Sequence, residues 1–377
     1  MPGTIPNKSN RRLLVFCDYG PGLIDAFCGT LNQIELSCLV LVRKRGNAKW
    51  RGAKTHVINL PLRVFNEEEP LSVSAILSLV AYLVMATLVG VIEVAKHRIN
   101  TILAVFAFPQ GLVAVVVGRL TGGRTAILTD GGDLDVFLRK PSVRALMLAC
   151  MRGANAVTAL NRTKAARLLS FGIKAQINPT IGVDISRFEY TPFAEKQERL
   201  VLYVGRLVKE KRPELFLRAC KRLIQQGVGL RVLLVGDGPL SSRIAEMARK
   251  EMRDVATIAR FISHSDMHQL FRKCAIFVLP SAREGVSVSL LEAMSSGCIC
   301  IVSDIPDNRE LIQDLYNGVV FKVDNEQDLA DRLRWVMSQH PPVLAPITAR
   351  ARLAVETGYS MQVVAKALAV LLSRLSE

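Results

Sequence analysis

The sequence lacks the features typical of secreted, disulfide-stabilised or disordered proteins. None of its eight cysteines forms a C-x-x-C pair, and most lie in apolar segments, so we expect small buried thiols in a reducing compartment. The first twelve residues are polar and basic and contain no apolar stretch of the secretory type. No low-complexity tract indicates disorder. These absences predict a folded, cytoplasmic protein.

Metal-binding motifs are also lacking. Among the five histidines, His264 and His268 have the spacing of a metal-ligand pair, with Asp266 between them. The segment Ser263–Asp266 equally fits the cap of a helix, which is the interpretation that we favour. We therefore expect no metal ion and no cofactor.

Acidic residues are scarce relative to basic ones. The 377 residues contain 49 Lys and Arg and 33 Asp and Glu, a formal net charge of +16. Residues 1–190 contribute +11 of this charge, from 23 basic and 12 acidic side chains, and the remainder contributes +5. The first half is therefore expected to meet an anionic partner.

One segment of the first half is strongly basic. It has six cations, no acid and a tryptophan, which suits anionic lipid headgroups at the cytoplasmic leaflet, although a solvated loop is the alternative. No nucleic-acid-binding module is recognisable, so nucleic acid is not an expected partner. The predicted membrane-contacting residues are Arg43, Lys44, Arg45, Lys49, Trp50, Arg51 and Lys54.

A second segment carries no charge at all. Residues 71–92 are long enough to span a bilayer, but they include several Ser and Thr residues and precede an apparent buried strand at 101–107. A helix in a soluble core and a helix embedded in or resting on a membrane both fit this segment, and the membrane alternative would make the protein peripheral on the inner leaflet.

Short continuous apolar runs alternate with helical patterns along the chain. This alternation predicts two doubly wound parallel-sheet, Rossmann-like α/β domains facing a cleft. We place one domain at 1–190 and the other at 191–359, with a seam near 186–199, and leave open whether a last helix at 360–377 returns to the first domain. The predicted strands are 12–17, 36–42, 102–107, 126–129, 156–160, 200–204, 231–235, 276–279, 299–302 and 319–323.

Two strand ends of the second half carry residues suited to a phosphorylated ligand. Arg206 and Lys211 follow the strand that ends before Gly205, where open α/β sheets bind ligands. Glu284 and Glu292 bracket a later transition from strand to helix. That arrangement combines carboxylates with the free N–H groups of a helix N-terminus, as a sugar phosphate requires.

Taken together, the motifs resemble retaining glycosyltransferases of family 4 (group 1), which have the GT-B fold. The resemblance is specific from about 200 to 312, where it rests on Gly205-Arg206, Lys211, Val235–Pro239, Phe277–Ser281, Glu284–Met294 and Gly297. Weaker counterparts in the first half are Phe108–Gly111, Thr129–Asp133, Ala154–Thr158 and Pro179–Asp184.

The resemblance implies a role for each matching residue. Arg206 and Lys211 would hold the donor diphosphate, Glu284 the transferred sugar and Glu292 the ribose, while the backbone of Gly285, Val286, Ser287 and Val288 would contact sugar and phosphate. Gly22 would belong to a loop closing over the phosphates, and it lies here in G-P-G rather than between adjacent glycines. Asp130 stands where the family commonly has histidine. The candidate catalytic set is Glu284, Asp130, Arg206 and Lys211.

The implied function is transfer of a hexose from a UDP- or GDP-sugar to a lipid-linked or polysaccharide acceptor in cell-envelope glycan or glycolipid synthesis. The first domain would then lie on the acceptor side. Asp130 also supports an alternative, a catalytically silent partner subunit that binds a sugar nucleotide. A GT-B-fold epimerase is a third interpretation, but no histidine falls in a predicted strand-end turn, as that chemistry would need.

Overall fold

The chain forms two compact units, one of residues 1–182 and 364–377 and the other of residues 183–363. The structure is a computed structural model that describes residues 12–17, 21–34, 38–44, 55–60, 73–129, 141–260 and 262–376, together with the single positions 36, 131, 134 and 138. Each unit contains a parallel sheet with helical crossovers, which confirms the predicted fold class.

The first unit has a seven-stranded sheet in the order β3-β2-β1-β4-β5-β6-β7. Its strands are β1 Arg12–Phe16, β2 Cys38–Lys44, β3 Thr55–Leu60, β4 Thr101–Val105, β5 Arg124–Leu128, β6 Ala156–Ala159 and β7 Gln176–Ile177. Its helices are α1 Pro21–Asn32, α2 Val73–His97, α3 Gln110–Thr121, α4 Pro141–Gly153 and α5 Arg162–Leu169.

The second unit has a six-stranded sheet in the order β10-β9-β8-β11-β12-β13. Its strands are β8 Gln197–Val204, β9 Arg231–Val235, β10 Ala256–Ala259, β11 Cys274–Leu279, β12 Ile299–Ser303 and β13 Val319–Phe321. The helices are α6 Pro213–Gln225, α7 Ser241–Glu251, α8 His264–Lys273, α9 Val288–Ser295, α10 Pro306–Leu311, α11 Glu326–Ser338 and α12 Pro341–Gly358; α13, Met361–Ser376, ends the chain.

The central strands are buried along their whole length because helices cover both faces of each sheet. All residues of β4, β11 and β12 are buried, as a parallel sheet between two helix layers requires. Seven of the cysteines, Cys17, Cys28, Cys150, Cys220, Cys274, Cys298 and Cys300, are free and buried, as predicted; Cys38 lies on β2. Burial raises the pKa of the Cys150 thiol to about 11.

Both sheets reverse their strand order at one point. The reversal falls between β1 and β4 in the first unit and between β8 and β11 in the second. Loops at the carboxyl ends of the strands on either side of such a point diverge and leave a crevice, where open α/β sheets bind ligands. Residues that bind substrate are therefore expected in the loops after β1, β8 and β11.

The units divide at Gly182–Val183 rather than near residue 190. Residues 186–199, where the seam was predicted, belong to the second unit, and Phe188 is buried in its core. Thr191 N–H donates to the Ser296 carbonyl, 3.2 Å away. The segment therefore folds with the later sequence because its backbone is bonded to the loop after α9.

Arg352 holds this segment in place. Its Nη1 donates to the carbonyls of Phe188 (2.7 Å) and Ser295 (3.0 Å), and its Nη2 donates to the carbonyl of Ile185 (3.2 Å). Replacing Arg352 with methionine should lower the free energy of unfolding by about 1–3 kcal/mol, because these carbonyls lose a charged donor.

The matched control for Arg352 is Arg350→Met on the same helix. The Arg350 guanidinium is exposed and lies 4.6 Å from the centre of the Tyr316 ring, a contact worth about 0.5–1 kcal/mol at most. Denaturant titration of both variants checks the prediction, and an equal loss from the two would contradict the role given to Arg352.

The uncharged segment forms most of α2, which is longer than predicted and only partly buried. Of the 18-residue window that could cross a membrane, 17% is buried. One side packs on the sheet while large apolar residues on the other side are exposed. The helix is therefore a crossover between β3 and β4 that packs one side on the core and leaves its other side exposed.

Candidate active site

Three strand-end loops of the second unit form the candidate site. Gly205 and Arg206 follow β8, and the Gly236–Gly238 turn follows β9. The two turns are bonded directly, since Gly205 N–H donates to the Val235 carbonyl (3.0 Å) and Leu207 N–H to the Asp237 carbonyl (2.9 Å). The backbone beside Arg206 is therefore fixed, while the Arg206 side chain is exposed.

The close approach of these turns depends on glycine. A Cβ at Gly236 would lie 1.9 Å from the Gly205 carbonyl oxygen. Gly238 has φ +156°, and a Cβ there would lie 2.7 Å from the Leu207 carbonyl oxygen. These glycines are structural: they allow one loop backbone to lie against another.

Lys211 and Glu284 meet at the centre of the site. Lys211 ends a short 3₁₀ helix, Lys209–Lys211, and its Nζ lies 2.6 Å from both carboxylate oxygens of Glu284. The Glu284 side chain is almost wholly buried, whereas that of Lys211 is about a quarter exposed. Since an ammonium has three N–H donors, Lys211 retains one for an anion on its open side.

A backbone bond fixes the loops that carry this pair. Ala282 N–H donates to the Glu210 carbonyl (2.8 Å), and Arg283 Nη2 lies 3.3 Å from Glu210 Oε1. The loop after β11 is thereby joined to the 3₁₀ helix after β8. The two strands that flank the reversal of order thus contribute the acid and the cation side by side.

Helix α9 begins four residues after Glu284. Its N-cap is Ser287, whose Oγ accepts from Leu290 N–H (3.4 Å) and lies 3.2 Å from Ser289 Oγ. Gly285 and Val286 precede the helix, so the N–H groups of the first turn and the positive end of the helix dipole lie beside the loop with Glu284. Glu292 is buried within the same helix.

Tyr203 contacts the backbone of the turn that carries Arg206, which the sequence did not reveal. Its hydroxyl donates to the Arg206 carbonyl, 3.1 Å away. Burial, and secondarily the negative charge of Glu284, hold the pKa of this phenol far above its usual range, so it remains a donor. A tyrosine at the end of an apolar strand looks like any core residue, and no motif distinguishes this one.

The structure brings together part of the predicted site. Lys211 and Glu284 are paired, Arg206 lies on the neighbouring turn, and Val288 opens the helix that contains Glu292. In the first unit, Gly22 lies in the first turn of α1, directly after β1. Asp130 lies outside the described residues, as do 45–54 of the basic segment; Arg43 and Lys44 end β2.

The histidine pair belongs to α8. Ser263 is the N-cap of this helix, and its Oγ lies 2.5 Å from the Asp266 carboxylate. The segment is therefore a helix start, as the sequence indicated. Within the described part of the chain, no group of three or more His, Cys, Asp and Glu side chains is arranged to hold a metal ion.

A comparison with known protein families finds a match within the second unit. Residues 187–353 match the family of glycosyl transferases group 1. A putative colanic acid biosynthesis glycosyltransferase, WcaL, from Escherichia coli K12 is 30% identical over 204 residues, which cover 52% of this chain and 50% of the relative. The chain thus spans about half the length of this relative.

Two further similarities extend over more of the chain. UDP-Gal:alpha-D-GlcNAc-diphosphoundecaprenol alpha-1,3-galactosyltransferase of Escherichia coli is 23% identical over 261 residues, 64% of this chain and 67% of the relative. The structure of sucrose-phosphate synthase from Thermosynechococcus elongatus superposes with a TM-score of 0.79 at 15% identity, over 97% of this chain and 99% of that one. With the two parallel sheets, the structural match supports the GT-B fold, and residues 187–353 are similar to the glycosyl transferases of group 1.

Proposed function

We propose that the protein transfers a hexose from a UDP- or GDP-sugar, with retention of configuration, to a lipid-linked or polysaccharide acceptor, as a member of family 4. The observation that carries this proposal is the contact of Lys211 with Glu284 beside the start of α9. A cation, an acid and a helix end in one place suit the junction between a phosphate and a sugar.

The chemistry needs no protein nucleophile. The bond between the sugar C1 and the diphosphate oxygen breaks, and its electron pair leaves with the diphosphate. The acceptor oxygen bonds to C1 on the same face, and its proton passes to the departing phosphate. Arg206, Lys211 and the N–H groups from Gly285 to Val288 stabilise the charge that develops on the leaving group.

The acids orient the two sugars of the donor. Glu284 accepts from hydroxyls of the transferred hexose, and Glu292 accepts from the ribose hydroxyls. In the first unit, the α1 start at Gly22 supplies backbone N–H groups for an anion. From the family resemblance, Asp130 would accept a hydrogen bond from a sugar hydroxyl.

The proposed acceptor follows from the relatives. One of them acts, by its name, on a diphosphoundecaprenol-linked sugar with UDP-galactose as donor, and another is named for colanic acid biosynthesis. A lipid-linked or polysaccharide acceptor at the cytoplasmic leaflet fits both names and the positive charge of the first half of the chain.

We further propose that the leaving group is neutralised without a metal ion, since Arg206, Lys211 and the start of α9 all belong to the loops after β8 and β11. Treatment with EDTA should leave the rate of transfer unchanged. A rate that collapses with EDTA and returns with Mg²⁺ or Mn²⁺ would contradict this.

A thermal-shift screen with UDP- and GDP-hexoses tests donor binding. A donor present at a hundred times its Kd should stabilise the protein by about 2.7 kcal/mol, a rise in Tm of roughly 5–10 °C. Release of UDP or GDP with a lipid extract then measures transfer. If no sugar nucleotide raises the Tm, the proposed function is wrong.

The same experiment distinguishes the second candidate, a silent partner subunit. Asp130, in place of the histidine common in the family, is the observation that favours it. Stabilisation by a sugar nucleotide without release of the nucleotide in the presence of any acceptor would support the silent partner over the transferase.

A further inference from the structure

Helix α2 has two opposite ridges of side chains with different environments. Tyr82, Ala86, Gly90 and Val94 recur every four residues and are buried. A Cβ on Gly90 would lie 2.8 Å from the Phe16 ring and 2.9 Å from Val117, so this ridge is pressed against β1 and α3.

The other side of α2 is apolar but uncovered. Ile76, Val80, Val84, Leu88 and Ile92 also recur every four residues, and Leu88 and Ile92 are 59% and 60% exposed. The exposed large apolar side chains of the helix are Val73, Ile76, Leu77, Val80, Val84, Met85, Leu88 and Ile92. From Ile76 to Ile92 they extend over roughly 24 Å, and an apolar patch of this length on a folded unit marks a contact surface.

Cations lie at the C-terminal end of this surface. Lys96 lies four residues after Ile92, on the same side of the helix, and is exposed. Exposed Arg98 follows the helix, and exposed Arg124 is joined to the same turn by its N–H, which donates to the Asn100 carbonyl (2.8 Å).

In the described residues from 73 to 182, Glu93 is the one acidic side chain, although the sequence also has Glu67, Glu68 and Glu69 before α2 and Asp130, Asp133 and Asp135 after β5. In residues 71–129 and 141–182, the sequence has ten Lys and Arg and one acid, Glu93. Glu93 Oε2 lies 3.2 Å from His97 Nε2, one turn further along the helix. The exposed apolar side of α2 therefore ends in a group of cations. A partner that fits it has an apolar interior and an anionic surface.

A bilayer rich in anionic phospholipid has this combination of properties. A helix that crosses the bilayer must be surrounded by lipid, whereas the Tyr82–Val94 ridge is packed against the sheet. A helix lying in the plane of the interface needs only one apolar side, with basic residues near the headgroups. A second copy of the chain packed on the same ridge would cover the apolar side chains, but residues 73–92 carry no acid to face the three cations.

We propose that the exposed ridge of α2 inserts into the acyl boundary of an anionic membrane, with Lys96, Arg98 and Arg124 on the lipid phosphates. The helix follows the carboxyl edge of β3 and precedes the amino edge of β4, so its N-terminal end lies at the edge of the sheet where substrates bind. The docking itself does not depend on the proposed function. Its purpose, to bring the protein to a lipid-linked acceptor, rests on that function.

Flotation with vesicles of phosphatidylcholine, with or without phosphatidylglycerol, tests the docking. The wild-type chain should float with the anionic vesicles, and Val84→Asp combined with Leu88→Asp should lower the ratio of bound to free protein by about tenfold or more, because two apolar side chains become charged. Lys96→Gln, Arg98→Asn and Arg124→Gln together should remove the preference for phosphatidylglycerol; asparagine is chosen because Arg98 has φ +50°.

The matched control is Leu169→Asp combined with Leu353→Asp. These leucines are 59% and 57% exposed on α5 and α12, so the pair adds the same charge at equally exposed sites on other helices. It should float like the wild type. As a probe without added charge, Leu88→Trp should show a blue-shifted indole fluorescence with anionic vesicles.

Three outcomes would overturn the docking. They are flotation of the α2 double variant at the wild-type level, an equal loss in the control pair, and a wild-type dimer that the α2 variant makes monomeric without any change in flotation. Thermal shift by sugar nucleotides in the absence of vesicles is measured on every variant. A docking failure leaves that shift intact, whereas a failure of the proposed donor binding abolishes it in all of them.

Discussion

Replacing Arg206 with alanine is expected to lower kcat for hexose transfer by about 100- to 1,000-fold. A preorganised donor facing the charge that develops on a leaving group has an effect of this size. The folded state should be unaffected within about 0.5 kcal/mol, because the side chain is exposed and only its backbone carbonyl is bonded, to Tyr203. The measurement is the initial rate of nucleotide release at saturating donor and acceptor.

Two further substitutions sharpen this test. Lys209→Ala removes an exposed cation from the adjoining 3₁₀ helix and should keep the wild-type rate. Arg206→Lys keeps the charge without the bidentate geometry and should be intermediate. Loss of activity in Lys209→Ala equal to that in Arg206→Ala would show that only the general positive field matters and would contradict the role given to Arg206.

Among glycine-to-alanine substitutions in the strand-end loops of the candidate site, Gly236→Ala should destabilise the second unit most. Its Cβ would lie 1.9 Å from a backbone carbonyl, so the β8 and β9 turns must separate. We expect a loss of about 3 kcal/mol or more in the free energy of unfolding, and a Tm lower by roughly 6–12 °C.

Gly358→Ala is the matched control. It lies at the end of α12, where an added Cβ meets nothing within 4 Å. The substitution should be neutral or stabilise by about 0.5–1 kcal/mol, because alanine has less freedom to lose than glycine. If calorimetry shows that Gly236→Ala unfolds at the same temperature as the wild type, the inference that the β8 and β9 turns leave no room for a Cβ at this position is wrong.

The sequence predicted the strands that flank the site better than the edges of the sheets. Continuous apolar runs indicated β8, β9, β11 and β12 because these strands are buried on both faces. The edge strand β10 is short and only half-buried, and two of its four residues are alanine, so it resembles a loop. The strand β7 has two residues, fewer than any pattern can show.

The pairing within the site was less accessible from the sequence. The motifs placed Lys211 and Glu284 in one family pattern, but their contact joins positions 73 residues apart and depends on the order of β8 and β11 in the sheet. The sequence also could not show how far α2 is buried. An uncharged run has the same composition whether it is enclosed, spans a bilayer or exposes one side, and only the packing of Tyr82 and Gly90 distinguishes these cases.

The first unit is made from two stretches of chain that are far apart in the sequence and are therefore synthesised at different times. Residues 364–377 belong to it, although all of residues 183–363 are translated in between. This last stretch brings the buried residues Val364, Ala365, Leu368, Leu371, Leu372 and Leu375. On the ribosome, the second unit is therefore the first to have its whole sequence available, and the first unit stays incomplete until residues 364–377 have been translated.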